Sequence, residues 1–126
     1  MTVVALILLG IAVLLHCYIF VMESLRWTRP STRATFGTSA QQAEDTREMA
    51  FNQGFYNLFL AIVAAVGMAF TIAGNSDIGL ALVLAGAGSM VGAGTVLLVS
   101  SPDKARPALI QLIPPLIGCV ALLIGH

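Results

Sequence analysis

Charge is the scarcest property of this chain. Its 126 residues include 6 Lys or Arg and 6 Asp or Glu, 10% in all with a formal net charge of zero, where soluble domains carry about 25%. With 58% hydrophobic residues, lipid rather than water is the expected main solvent. The absence of a basic excess, and of aromatic residues interleaved with basic ones, excludes nucleic acid as a partner. Cysteine is rarer still: Cys17 and Cys119 lie inside apolar runs, without a Cys-x-x-Cys or Cys/His spacing. No metal site and no cofactor is expected, and both thiols read as small buried hydrophobes. No Lys or Arg precedes the apolar run that begins at Val3, and His16 stands in the outline of a lipoprotein box, Leu14-Leu15-His16-Cys17, where a signal peptidase needs a small residue. The first apolar segment is therefore expected to remain as a helix. Internal repeats and low-complexity tracts are lacking as well, and the length suits one domain, 1–126.

What remains is four apolar stretches. Residues 3–22 are apolar, Gly or weakly polar apart from His16, about the 20 residues a helix needs to cross a ~30 Å hydrocarbon core. Residues 23–49 hold four arginines and the turn-prone Arg29-Pro30-Ser31, so this loop must lie in water or at the headgroups. Within it, Ser39-Ala40-Gln41-Gln42 has the form of a capping box, and the helix it starts is expected to continue into the second span, 50–72. Ala73-Gly74-Asn75-Ser76-Asp77 supplies turn chemistry before a third span, 78–99. A polar loop, Ser100 to Arg106, precedes the fourth, 107–124, where Pro114-Pro115 predicts a kink through lost backbone N–H bonds. The fold class is all-α: a polytopic four-transmembrane-helix bundle, with a short cytoplasmic helix continuing into the second span.

Arg26, Arg29, Arg33 and Arg47 follow the first span and Lys104 and Arg106 the third, while the turn after the second span and both termini have none. By the positive-inside rule this six-to-zero bias makes both basic loops cytoplasmic and places both termini outside. Trp27, beside Arg26, suits the aromatic belt at the headgroups. On the third span Gly88 and Gly92, beside the row Ala85-Ser89-Ala93, have the four-residue spacing that lets helix backbones approach closely. Contact with another helix of the same chain is the simpler reading, and a homo-oligomer through Gly88 and Gly92 is the other.

Polar side chains within spans are costly in hydrocarbon and mark bundle interiors or sites. They are His16 and Glu23, then Asn52, Gln53, Tyr56 and Asn57, then Gln111, all toward the cytoplasmic side. At ~1.5 Å per residue, His16 and Asn57 lie ~10 Å deep, Gln111 ~6 to 8 Å, and Glu23, Asn52 and Gln53 near the surface. His16 and Glu23 are two turns apart and share a face, but their ~10.5 Å axial separation prevents direct contact, and no nucleophile accompanies them, so no catalytic residue is assigned. One reading is a register-fixing network, with Glu23 paired to Arg26 or Arg47. The other is a polar pocket open to the cytoplasm, lined by these seven residues, holding a polar headgroup, a small metabolite or a proton.

The string Asn52-Gln53-Gly54-Phe55-Tyr56-Asn57, with His16-Cys17-Tyr18, Glu23, Trp27-Thr28, Phe36-Gly37 and Leu60-Ala61, resembles the bacterial small integral membrane family catalogued as domain of unknown function 1304. The likeness runs over essentially the whole chain. It implies a four-helix protein of the bacterial cytoplasmic (inner) membrane and carries no established activity. The leading expectation is a non-enzymatic module embedded in the lipid bilayer that binds or passes a small-molecule or lipid ligand. The rival is a membrane enzyme acting on a lipid or isoprenoid-like substrate, with His16 and Glu23 as acid and base, and a third reading is a structural partner of a larger complex.

Overall fold

Packing in this chain turns on an asymmetry of size: Ala and Gly recur at three- and four-residue spacing in the second, third and fourth apolar stretches, which gives those helices a small face, while the first stretch holds only Ala5, Gly10 and Ala12. The computed structural model describes residues 1–126 and shows how that asymmetry is used. Helix α1 spans Thr2–Phe20 and runs into a π-helical turn, Val21–Leu25. Two short helices follow, α2 at Pro30–Phe36 and α3 at Ala40–Asp45. Helix α4 spans Arg47–Ile72 and α5 Ser76–Ser100. A 3-10 turn at Pro102–Lys104 leads into α6, Ala105–Gly125. Four of these segments, Thr2–Leu25, Arg47–Ile72, Ser76–Ser100 and Pro102–Gly125, are long and apolar enough to cross a membrane.

The four long helices form an antiparallel ring in which α1 meets α4, α4 meets α5, α5 meets α6, and α6 returns to α1. The small faces turn inward. Ala5, Leu9, Ala12, Ala61, Ala64, Val83, Ala87 and Met90 make the core, while Ile7, Ile11, Leu14, Phe59, Ile62, Val96 and Val99 stand exposed on the outside. An apolar shell this continuous has no place in water. In lipid it meets a matching solvent, and close van der Waals contact between small faces supplies the association.

The closest approach is between α4 and α5. A Cβ added at Gly67 would lie 2.6 Å from the Val83 backbone N, and one at Gly86 would lie 2.6 Å from Ala64 N, so neither position has room for a side chain. Gly94 approaches Leu112 on α6, and Gly118 approaches Leu9 on α1. Gly88 and Gly92, the pair expected to pack within the chain, do not: an added Cβ at either meets nothing within 4 Å. The four-residue motif was found on the wrong stripe of α5. The packing stripe is Gly79-Val83-Gly86-Ala87-Met90-Gly94, and Gly88 and Gly92 lie on the outer side.

The capping box forms as expected, Gln42 N donating to Ser39 Oγ and Ser39 N to Gln42 Oε1. The helix it starts leads into the second span with a one-residue interruption at Thr46 (φ −104°, ψ 6°). Thr46 Oγ1 donates to Gln42 O and accepts from Trp27 Nε1, the local side-chain bonding that competes with regular helix. Helix α2 arises where a turn was expected. Pro30 occupies its first position, and Gly37 closes it in the left-handed region (φ 69°), an arrangement each residue favours. Trp27 packs on Phe36 with ring centroids 4.9 Å apart, so it pins the loop to the start of α4. Helix α6 continues through Pro114 and Pro115.

Candidate functional site

All six Lys and Arg side chains lie at one end of the ring, in the connections or in the first turn of the long helix that follows: Arg26, Arg29, Arg33 and Arg47, then Lys104 and Arg106. At this basic end the first span is longer than its apolar run: the π turn carries Glu23 and Ser24 inside the helix, and the loop starts at Arg26. A π turn holds an extra residue within the helical ladder, a feature that recurs at functional sites. Met22 and Glu23 are both buried by it.

Glu23 is 4% exposed. Its Oε1 accepts from Asn57 Nδ2 at 2.7 Å, and the same amide group donates to Gln53 O at 3.2 Å. Ser24, the next residue, donates from Oγ to Phe51 O at 2.7 Å. That contact lies directly over Gly54, where an added Cβ would come 3.0 Å from Ser24 Cβ. Phe20 meets Phe55 edge-on at 5.0 Å, closing the outer side of the seam. Asn57, Gly54 and Phe51 thus form the stripe of α4 that receives the π turn.

The expected pairing of Glu23 with Arg26 or Arg47 does not occur. Arg47, at the start of α4, reaches Glu44 at 3.6 Å, both side chains being largely exposed, while the π turn buries Glu23 and Arg26 lies in the loop. The expected depths also change. Asn57 is level with Glu23 rather than with His16, since α4 starts at Arg47 and not at residue 50. His16 is a deeper site of its own, 2% exposed, with Nδ1 at 2.9 Å from Ala12 O. The antiparallel seam that sets Leu9 against Gly118 and Thr2 near Gly125 brings Gln111, which is half-buried, to the level of His16 without a hydrogen bond between them.

The remaining candidates point elsewhere. Asn52 is exposed and donates to Glu48 O, Gln53 is exposed, and Tyr56 is 70% exposed. They occupy the outer face of α4 at the basic end. The seven residues therefore divide into an interior row, His16, Glu23 and Asn57, with Gln111 at its flank, and an outer trio. No group of three or more His, Cys, Asp or Glu side chains is arranged to hold a metal ion.

Two atoms of the interior row have no protein partner: His16 Nε2, because the only bond of the ring is made through Nδ1, and Glu23 Oε2, because Asn57 engages Oε1. The fully enclosed unpaired polar atoms are instead Arg33 Nε and Thr38 Oγ1 in the loop; the two interior atoms are not completely enclosed. Beside the π turn a cleft of about 560 Å³ opens toward the start of α4, lined by Ser24, Trp27, Thr28, Arg47, Glu48 and Phe51, with Glu23 itself outside the lining. The sequence had no marker for the π turn, so the contribution of Ser24 and of this cleft was not foreseen.

No match is found among curated proteins or among solved structures. A family model matches residues 10–123, a stretch that takes in the second and third spans whole, most of the first and fourth, the π turn and every residue of the interior row. The chain belongs to the family described as Protein of unknown function (DUF1304).

Proposed function

We propose that this protein is a membrane-embedded binding module that takes up or passes a small polar ligand at the row formed by Glu23, Asn57 and His16. The carrying observation is the half-used carboxyl of Glu23, which is 4% exposed yet holds a single amide donor. A network serving only to fix helix register saturates its carboxylate, because each unmade bond in a low-dielectric interior is costly. A carboxyl with one free, accessible oxygen suits a ligand that donates hydrogen bonds or carries positive charge. The cleft beside Ser24 and Trp27 is its entrance, and His16, two turns deeper, offers the second contact. Asn52, Gln53 and Tyr56, on the outer face of α4, stand outside this route.

The setting we propose is the cytoplasmic (inner) membrane of a bacterium, crossed four times, with both termini outside. The support is the confinement of all six Lys and Arg to one end of the ring together with the positive-inside rule. A periplasmic reporter fused after His126 should be active; an inactive one, with an active cytoplasmic reporter in its place, moves the row to the outer side. The outward face at Gly88 and Gly92, free of contacts within the chain, is where a second copy would pack in a homo-oligomer.

Ligand retention tests the reading. Native mass spectrometry of the detergent-solubilised protein should show a bound small molecule that is lost in Glu23→Gln and in His16→Asn while both variants keep the melting temperature of the parent. A bare parent chain, or variants that retain the same bound mass, would overturn it and leave a structural network.

A further inference from the structure

On the side of the ring away from α4, the seam between α1 and α6 leaves an apolar groove of about 680 Å³, walled by Leu15 on α1 and by Leu109, Ile110, Ile113 and Pro114 on α6, with Arg106 at its mouth. Positions 106, 109, 110 and 113 lie at helical spacings of three and four, so they form one continuous face. That face runs from the headgroup level about two turns, ~10.5 Å, into the hydrocarbon. We propose that this groove is a site for one anionic phospholipid, its phosphate on Arg106 and the upper part of an acyl chain against Leu15, Ile110 and Ile113.

Charge complementarity selects this occupant. Arg106 is exposed and makes no ion pair; the ion pairs of the chain are Arg47 with Glu44 and His126 with Asp77. Asp103, three residues earlier, leaves the guanidinium free. Arg106 also stands in the first turn of the 21-residue α6, where the positive end of the helix dipole favours an anion. A planar guanidinium pairs with phosphate in two-point fashion. A bare apolar groove would accept any lipid tail, and the cation at its mouth is what distinguishes lipids by headgroup. The site does not involve Glu23, Asn57 or His16 and stands independently of the function proposed above.

The test is competition in nanodiscs made from equal parts phosphatidylglycerol and phosphatidylcholine, with the lipids that stay bound counted by native mass spectrometry. The parent chain should retain one phosphatidylglycerol in preference to phosphatidylcholine. Arg106→Gln should cut that preference about fivefold, the expected effect of one cation near the surface, and Arg106→Lys should restore part of it. Arg29→Gln, remote on the loop, should leave it intact. Ile113→Trp should fill the groove and reduce retention of both lipids without lowering the melting temperature, since this position faces outward. Equal retention of the two lipids by the parent chain would overturn the proposal. So would equal losses in Arg106→Gln and Arg29→Gln, which would reveal only diffuse attraction to the basic end.

Discussion

The α4–α5 seam and the basic end of the α1–α4 seam join helices of similar length by opposite means. Between α4 and α5 the contact is made by absence: Gly67, Gly79 and Gly86 bring backbone against backbone, and the fit is set by volume. Between the π turn and α4 it is made by directed bonds, Asn57 to Glu23 and Ser24 to the carbonyl of Phe51. A contact based on volume rejects any addition but is indifferent to chemistry. One based on hydrogen bonds tolerates changes of shape and loses when a partner is removed. In lipid, where burial of apolar surface gives no net drive to association, the first kind supplies cohesion and the second supplies a place where a polar group is tolerated.

The sharpest way to break this contrast is Gly86→Leu. The new Cβ would fall against Ala64 N, and overpacking against backbone that cannot yield should cost about 3 kcal/mol or more, seen as loss of the cooperative melting transition in detergent. An unchanged transition would show that the seam is not held by volume. Next comes Asn57→Leu, which leaves Glu23 without a donor and should cost about 1–3 kcal/mol. Replacing both Glu23 and Asn57 with Leu should recover much of that loss, because no unpaired polar group remains; a double variant as unstable as the single one argues against the pairing. Ser24→Ala removes one hydrogen bond to a carbonyl and should cost about 1 kcal/mol, measurable as a small decrease in melting temperature. Smallest of all, Gly88→Leu and Gly92→Leu should stay within about 0.5 kcal/mol of the parent, as outward surface changes do. A larger decrease would place a partner on that face.

Much of this architecture was legible in the residues. The four spans follow from apolar length, the loop from its arginines, and the start of α3 from Ser39 and Gln42. The family was readable from the string around Asn52 to Asn57. Less legible was anything that depends on rotation about a helix axis. Gly88 and Gly92 carry the same spacing as Gly79, Val83 and Gly86, and spacing alone does not say which stripe faces inward. Within the candidate site, inward placement was readable for His16 and Glu23 because seven residues bring the chain back to the same face. It was not readable for Asn52, Gln53 and Tyr56, which share a short string with Asn57 but project around the helix to other sides. The π turn left no signature in Val21-Met22-Glu23-Ser24-Leu25, and the bonds that hold it, from Asn57 to Glu23 and from Ser24 to Phe51 O, join residues 34 and 27 positions apart.

The ring order has a consequence for biosynthesis. Of the four long helices, α1 is made before the other three and finds one neighbour in α4 and its other in α6, which follows them all in the sequence. Until α6 is made, the face that carries Leu9, later covered where Gly118 approaches it, has only lipid or the insertion machinery to rest on. This seam therefore stays open until α6 has been made and inserted. A chain stalled before α6 should leave α1 open to crosslinking from a probe at Leu9, and extending synthesis through α6 should silence that probe within the time α6 takes to dock.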